Sequence, residues 1–278
     1  MLVNLKEILK IAEERKIAIG SFNATGFDSI QAIISAAEEL NVPVILAHAE
    51  VHNKFNDISL VGPTMIAAAK NAKVPVCVHL DHGLTMNMID RALAIGFTSV
   101  MVDASMLSYE ENLKMTKEVV TKAHKLGVSV EAELGRMPDN VKGDNKPEDF
   151  YTDPKEALEF VKETNVDALA IAFGTSHGFY KAEPKLDFDV IRRCRESTGG
   201  IPLVMHGGSG VPDDGFKEAI KSGIRKINYY SYMSKAGYLK AKEVIESNKT
   251  LYLHDVIFEA MKAMEENVKE AIKVFSGV

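Results

Sequence analysis

The feature that most constrains this chain is an alternation, repeated eight times, of short apolar runs rich in β-branched residues with longer segments of helical periodicity. The predicted strands cover residues 17–22, 43–47, 75–80, 98–102, 128–133, 167–172, 202–206 and 224–228. The predicted helices that follow them cover 28–40, 60–72, 86–95, 109–126, 154–163, 187–197, 213–221 and 231–247. This alternation is typical of parallel β-α units and predicts an α/β fold of the (β/α)8 (TIM) barrel type, with a doubly wound open sheet as the second interpretation.

Two further helical segments, near residues 4–14 and 254–275, lie outside the repeat. We expect one barrel domain over residues 1–278 with an extra N-terminal and an extra C-terminal helix, because α/β barrels of this length commonly form one domain. The apolar residues of the C-terminal segment recur at helical spacing. That pattern suits either packing on the barrel or a contact between subunits.

The charge and composition of the chain argue against several classes of protein. A formal net charge of −6 offers no broad basic surface for nucleic acid or anionic lipid, so any phosphate must be bound locally. The N-terminal segment mixes charged with apolar residues, and no uncharged stretch is long enough to span a membrane. Cys77 and Cys194 lie in unrelated segments and do not indicate a disulfide framework. These observations favour a cytoplasmic enzyme.

Polar side chains stand at or just beyond the end of nearly every predicted strand, where the active site of a parallel barrel is built. They are Asn23, Glu50, Asp81, His82, Asp103, Glu133, His177, His206 and Asn228. Helix capping remains an alternative interpretation for short residues such as Asn23 and Asp103. Capping does not explain the three histidines, and three protein ligands that leave one position free are typical of catalytic zinc. We therefore predict that His82, His177 and His206 converge at one rim.

An ordered series of short motifs resembles the class II, metal-dependent ketose-bisphosphate aldolases of the fructose- and tagatose-bisphosphate type. The motifs are Ser-Phe-Asn at 21–23, His-Leu-Asp-His at 79–82, Met-Val-Asp-Ala-Ser at 101–105, Val-Glu-Ala-Glu-Leu-Gly at 130–135, Gly-Thr-Ser-His-Gly at 174–178, His-Gly-Gly-Ser-Gly at 206–210 and Lys-Ile-Asn at 226–228. The resemblance covers most of the chain, and such a series at strand ends is far more specific than any single motif.

The resemblance implies that His82, His177 and His206 hold a catalytic zinc ion, with Asp103 and Glu133 as alternative ligands when the metal shifts. It implies cleavage of a phosphorylated ketose between C3 and C4 to dihydroxyacetone phosphate and an aldehyde. The metal would stabilise the negative charge left on the three-carbon fragment. Asp81 would take the C4 hydroxyl proton during cleavage and return it during condensation.

The family likeness also suggests a homodimer or homotetramer. It leaves room for a second divalent site or a monovalent cation. The partner that it implies is a small sugar phosphate, with no nucleic acid or membrane partner.

A phosphate site is predicted on independent grounds, because a glycine-rich turn that opens onto a helix exposes backbone N–H groups. Gly207, Gly208 and Ser209 form such a turn after the seventh predicted strand. The resemblance adds these substrate-binding positions: Asn23, Gly178, Asn228, Tyr229, Tyr230 and Ser231. The chain departs from the family at Tyr230 and Ser231, where relatives have a small or acidic residue and threonine. We therefore expect the glycine turn to contribute more than the tyrosines.

A second departure lies in residues 136–152, a long polar segment with no helical period. A loop of that length in a compact domain is usually a functional lid or disordered. The family carries a mobile loop here, with a glutamate in a Gly-Gly-x-Glu context that takes the C3 proton. That glycine pair is absent from this chain, so Asp139, Asp144 and Glu148 all remain candidate bases.

A third departure concerns the end of the substrate that is distal to dihydroxyacetone phosphate. Relatives place a small hydroxyl residue or glycine after the second strand, whereas this chain has Ala49 and Glu50, and it lacks a counterpart of their C-terminal arginine. Because a carboxylate would repel a phosphate, we hypothesise a ketose 1-phosphate or deoxy-sugar phosphate whose aldehyde product is unphosphorylated. His48 and His52 are either pocket or loop residues, and His79 is expected to fill a layer inside the barrel.

Three other functions need to be considered. A Schiff-base aldolase would need a lysine in an apolar pocket at a strand end, and Lys226 lies in the eighth predicted strand but does not explain the histidines. A metal-dependent hydrolase on the same barrel typically has a His-x-His pair on the first strand, where this chain has Ser-Phe-Asn. A sugar-phosphate binding protein without catalytic activity remains an alternative of another class.

Overall fold

The structure is a computed structural model that describes residues 1–135, 150–179, 184–247, 250 and 252–278. Eight parallel strands form a closed barrel with helices around it, which confirms the (β/α)8 prediction over the open sheet. A two-residue strand, β1 (Leu2–Val3), precedes the barrel strands. The eight barrel strands are β2 (Ile19–Asn23), β3 (Val44–Ala49), β4 (Val76–Gly83), β5 (Ser99–Val102), β6 (Ser129–Leu134), β7 (Ala168–Ile171), β8 (Leu203–Met205) and β9 (Ile224–Tyr229). The barrel closes where β9 pairs with β2, with Lys226 opposite Ile19.

The helices lie close to where the periodicity predicts them. They are α1 (Leu5–Arg15), α2 (Phe27–Leu40), α3 (Ile58–Asn71), α4 (Met86–Ile95), α5 (Tyr109–Lys125), α6 (Pro154–Thr164), α7 (Phe188–Ser197), α8 (Asp213–Ser222), α9 (Ser231–Glu246) and α10 (Leu253–Ser276). Three features were not predicted: the two-residue β1, which pairs with β4, a short 3-10 helix at Glu50–Lys54, and the extension of β4 to Gly83. The first two are too short to produce a periodic pattern.

The N-terminal helix closes one end of the barrel. Asn4 and Glu7 form a capping box that fixes the start of α1, with Asn4 Oδ1 accepting from Glu7 N at 2.9 Å. The buried face of α1, including Leu5 and Leu9, packs against inward-facing apolar residues of the strands such as Ile45. This apolar plug leaves the opposite end, where the strands terminate, as the open mouth.

The C-terminal helix packs on the outside of the barrel, against α9, α2 and β2. The ring centre of Phe275 lies 4.9 Å from that of Phe216 and 6.0 Å from that of Tyr229. Packing on the barrel, one of the two roles predicted for this segment, is therefore what the structure shows. No helix in the described part of the chain is long and apolar enough to cross a membrane.

Inward-facing positions change from apolar to polar along the barrel axis, because alternate residues of a strand point to the same side. At the plugged end they are residues such as Ile19 and Val204. Nearer the mouth, His79, Glu131 and Lys226 are all fully buried. His79 lies inside the barrel as expected, with Nδ1 2.8 Å from Ser99 Oγ. The strands therefore carry a buried polar layer directly below the mouth.

Candidate active site

A cavity of about 430 Å³ opens at the mouth of the barrel. Among the described residues, those predicted for the site line it, except His206, which is fully buried and contacts His82. These lining residues are Asn23, Asp81, His82, Asp103, Glu133, His177, Gly178, Gly207, Gly208, Ser209, Asn228, Tyr229, Tyr230 and Ser231. Residues far apart in sequence thus share one cavity.

The three histidines converge as the sequence predicts. One ring nitrogen from each of His82, His177 and His206 lies within 4.8 Å of the other two. His82 Nε2 is 2.9 Å from His206 Nδ1, and the ring centres of His82 and His177 are 4.9 Å apart. Three imidazole nitrogens that face one another at this spacing form a donor set of the kind that binds zinc.

In His82 and His206 the second ring nitrogen contacts a carboxylate. His82 Nδ1 lies 2.6 Å from Asp103 Oδ2, and His206 Nε2 lies 2.9 Å from Glu131 Oε1. Histidines that ligate metals almost always donate their second N–H in this manner, which fixes the tautomer and the orientation of the ring. The other oxygen of Asp103 accepts from Ser105 Oγ at 2.8 Å, so this carboxylate is placed to orient His82.

Glu133 completes a second group of possible ligands with His82 and Asp103. Its Oε2 is buried, lies 3.8 Å from His206 Nδ1 and has no hydrogen-bond partner among the described residues. Burial and the charge of Asp103 raise the pKa of Glu133 to about 8. Burial alone would lower the pKa of His82, but Asp81 and Asp103 raise it to about 10. This surplus of negative charge and the nitrogen and oxygen donors fit a divalent cation.

Adjacent residues on a strand point to opposite sides, yet Asp81 and His82 both face the mouth. The pairing of β4 with β5 shifts register between Leu80 and Gly83, and His82 adopts a left-handed conformation with φ of 46°. A side chain at Gly83 would place its Cβ 2.5 Å from the carbonyl oxygen of Met101. The irregularity therefore depends on glycine and brings the imidazole beside the carboxylate.

Two asparagines hold Asp81. Its Oδ2 accepts from Asn23 Nδ2 and its Oδ1 from Asn228 Nδ2, both at 2.8 Å. Burial favours the neutral acid, but the positive charge of His82 holds the pKa of Asp81 well below its usual range. The carboxylate is therefore ionised and fixed in position, which suits a proton acceptor. The asparagines, predicted as substrate-binding residues, also position this group.

Sequence reasoning missed the buried ion pair of Glu131 and Lys226. Both side chains are fully buried, with Lys226 Nζ 2.9 Å from Glu131 Oε2. The ammonium thus lies beneath His206 and outside the lining of the cavity. Strand alternation could have predicted the position of Glu131. It stands two residues before Glu133 in β6, so its side chain points inward as well.

The glycine turn after β8 lies against the start of α9. Gly207 has a φ of 66°, and a Cβ there would lie 2.3 Å from the carbonyl oxygen of Ser176. Ser209 Oγ accepts from the backbone N–H groups of Tyr230 and Ser231 at 3.1 and 3.0 Å. The loops after β8 and β9 therefore form one backbone-lined corner of the cavity.

The two tyrosines at this corner differ in environment. Tyr229 is 9% exposed and packs in the core against Phe22, and burial raises its pKa to about 12. Tyr230 has its ring centre 4.8 Å from that of His52. Tyr229 therefore belongs mainly to the core, and Tyr230 lies beside His52 in the cavity lining.

Glu50 does not face the cavity. Its carboxylate accepts from the backbone N–H groups of Leu84 and Thr85 at 2.7 and 3.0 Å and from Thr85 Oγ1 at 2.8 Å, at the start of α4. The predicted repulsion of a distal phosphate therefore does not follow from Glu50. His52 lines the cavity, whereas His48 is fully buried, and burial lowers its pKa to about 4. The candidate loop bases Asp139, Asp144 and Glu148 lie outside the described residues.

Comparison with known proteins gives one family. The sequence model of "Fructose-bisphosphate aldolase class-II" matches residues 3–278. The chain is 40% identical to a fructose-bisphosphate aldolase of Staphylococcus aureus (strain Mu50) over 281 residues, which cover 99% of this chain and 97% of the relative. It is 39% identical to a fructose-bisphosphate aldolase of Helicobacter pylori (strain J99) over 305 residues, which cover 100% of this chain and 99% of the relative.

Solved structures agree with the sequence comparison. The crystal structure of the YdjI aldolase from Escherichia coli K12 superimposes with a TM-score of 0.89 at 37% identity, covering 99% of this chain and 97% of that chain. The family match extends over nearly the whole chain and over the strand ends that form the cavity. The chain therefore belongs to the class II fructose-bisphosphate aldolase family and is a lyase of carbohydrate metabolism.

Proposed function

We propose that this protein is a zinc-dependent aldolase that reversibly cleaves a phosphorylated ketose to dihydroxyacetone phosphate and an aldehyde. The observation that carries the proposal is the convergence of three imidazole nitrogens within 4.8 Å of one another, next to a carboxylate held by two asparagines. His82, His177 and His206 would hold the metal, and Glu133, whose Oε2 lies 3.8 Å from His206 Nδ1, would be an alternative ligand. Asp103 would orient His82.

When bound, a divalent cation supplies Lewis-acid stabilisation of the negative charge that develops on the ketose fragment. The residues of the chain supply the rest. Asp81 takes the proton of the C4 hydroxyl during cleavage, and the amides of Asn23 and Asn228 keep its carboxylate in place. The N–H groups of the corner built by Gly207 and Ser209 would bind the substrate phosphate.

The buried environment of Lys226 favours this mechanism over a Schiff-base route. Its ammonium is fully buried in the ion pair with Glu131 and does not line the cavity, so Lys226 presents no free amine to a ketose carbonyl. Borohydride added with substrate should therefore leave the activity intact. Inactivation by borohydride would contradict this assignment.

The central test is a coupled assay of triose phosphate release from a panel of ketose phosphates. We expect activity in the zinc-loaded protein, loss after exhaustive chelation and recovery when zinc is added back. Full activity after complete removal of metal would refute the metal-dependent mechanism. Binding of sugar phosphate without any turnover in the presence of zinc would instead support the binding-protein alternative.

We also propose a cellular compartment and an oligomeric state for the protein. Cys77 and Cys194 are buried free thiols, which fits a reducing compartment such as the cytoplasm. α9 and α10 expose several apolar side chains, including Tyr238, Ile245 and Phe258, which fits a homo-oligomer. Size-exclusion chromatography with light scattering tests this expectation, and a strictly monomeric protein would contradict it.

A further inference from the structure

The cavity wall contributed by the segments that follow β3, β4 and β5 includes Val51, His52, Leu84 and Met106, called here the distal wall. We propose that the distal wall binds an uncharged, hydroxylated chain, so that the aldehyde product carries no phosphate. This inference rests on the proposed aldolase function and names the substrate class of the same site. It keeps the unphosphorylated product suggested by the sequence but replaces the argument based on Glu50.

The first support is the absence of cationic side chains. None of the described residues that line the cavity is lysine or arginine. The nearby Lys54 places its ammonium 4.7 Å from the ring centre of Phe55 and does not belong to the lining. Recognition of a phosphate dianion normally uses such cations or a free helix N-terminus. The acidic chain, with a formal net charge of −6, supplies no general positive field in their place.

The second support is that the helix N-terminus at the distal wall is already occupied. The backbone N–H groups of Leu84 and Thr85 donate to the carboxylate of Glu50. Thr85 Oγ1 in turn accepts from Met88 N at 3.2 Å. Three N–H groups at the start of α4 are thus taken by groups of the protein, one of them anionic, so a second anion bound here would meet the charge of Glu50.

The third support is the chemistry of the distal wall itself. His52 is 9% exposed, packs at 4.8 Å between ring centres against Tyr230 and reaches the cavity, and burial lowers its pKa. A neutral imidazole has one donor and one acceptor, which matches a hydroxyl group. Val51, Leu84 and Met106 present apolar surface that suits the C–H groups of a sugar chain.

The test runs the reaction in the direction of condensation with dihydroxyacetone phosphate and aldehydes in matched pairs. The pairs are glyceraldehyde with glyceraldehyde 3-phosphate, and erythrose with erythrose 4-phosphate. We expect kcat/KM for each neutral aldehyde to exceed that of its phosphate by about tenfold, which corresponds to about 1.4 kcal/mol. Equal or higher kcat/KM for the phosphorylated partners would overturn the inference while leaving the aldolase assignment intact.

Variants test the residues. His52→Ala should raise KM for erythrose so that kcat/KM falls about three- to tenfold, and His52→Gln should recover part of the loss because it keeps a donor and an acceptor. Zinc affinity should not change in either variant. Leu84→Arg should improve kcat/KM for erythrose 4-phosphate. The matched control Lys54→Ala should leave unchanged the ratio of kcat/KM for each neutral aldehyde to that for its phosphate.

Two outcomes separate this inference from the proposed function. If His52→Ala leaves every kcat/KM unchanged, or if Lys54→Ala selectively abolishes use of phosphorylated aldehydes, the distal wall does not act as described. If no aldehyde of either kind condenses and no ketose phosphate is cleaved, the proposed function itself fails.

Discussion

Replacing Glu131 should separate two roles that one carboxylate performs in the buried layer below the mouth. Its Oε1 lies 2.9 Å from His206 Nε2, and its Oε2 lies 2.9 Å from the ammonium of Lys226. The substitution Glu131→Leu removes both contacts at once. It leaves a fully buried cation without its partner, and it leaves His206 without the acceptor that fixes its orientation.

The magnitudes of the two losses follow from these contacts. Breaking a buried ion pair by removing one partner costs about 3–5 kcal/mol, a large part of the 5–15 kcal/mol typical of a folded protein. Loss of a carboxylate that orients a histidine ligand typically lowers metal affinity about 10- to 100-fold. In Glu131→Leu/Lys226→Met no unpaired cation remains, so we expect most of the stability to return while zinc affinity stays low.

The assays are urea unfolding of the metal-free proteins and zinc titration in competition with a chelating dye. Glu131→Gln is the matched control, since its amide oxygen still accepts from His206 and should preserve more zinc affinity than leucine. If the double variant regains wild-type zinc affinity, Glu131 serves only to neutralise Lys226, and its proposed action on His206 is refuted.

Three further outcomes are expected. Asp81→Asn should lower kcat by about 10²–10⁴-fold with zinc affinity retained, and an unchanged kcat would exclude residue 81 as the proton acceptor. Gly83→Ala should weaken zinc binding because its Cβ would meet the carbonyl of Met101, and tight zinc binding in this variant would contradict the geometry. Asp57→Ala should lower the melting temperature at pH 7, because hydrogen bonds from Arg91 and the start of α3 hold the pKa of Asp57 well below its usual range. This deficit should shrink as the pH falls below about 3.9, and a constant deficit down to pH 2 would argue against a charge effect.

The barrel could be predicted from sequence because hydrophobic period and element length report local structure directly. The ends of some elements could not. β4 runs beyond its predicted end at residue 80 to Gly83, where polar side chains replace the apolar pattern on which the prediction depends. The 3-10 helix at Glu50–Lys54 is likewise too short to give a periodic hydrophobic pattern, yet it determines where the carboxylate of Glu50 points.

The site could be predicted as a set of residues but not as a network. The position of His82 and His206 near strand ends was enough to place them at one rim. Which oxygen contacts which nitrogen depends on side-chain geometry across strands distant in sequence, so the ion pair of Glu131 with Lys226 was missed. The same limit applies to Glu50, whose charge was evident but whose partners on α4 were not.

The adjacency of Asp81 and His82 shows how backbone conformation makes this chemistry possible. A regular strand would direct only one of the two side chains into the mouth and would send the other towards the surrounding helices. The left-handed conformation of His82, at φ of 46°, costs of order 1–3 kcal/mol, which the surrounding contacts must offset. Asp103 supplies such a contact by holding His82 Nδ1 at 2.6 Å, and the two asparagines fix Asp81 independently. A candidate proton acceptor and a candidate metal ligand can therefore face the same cavity from consecutive residues only because the strand is irregular at this point.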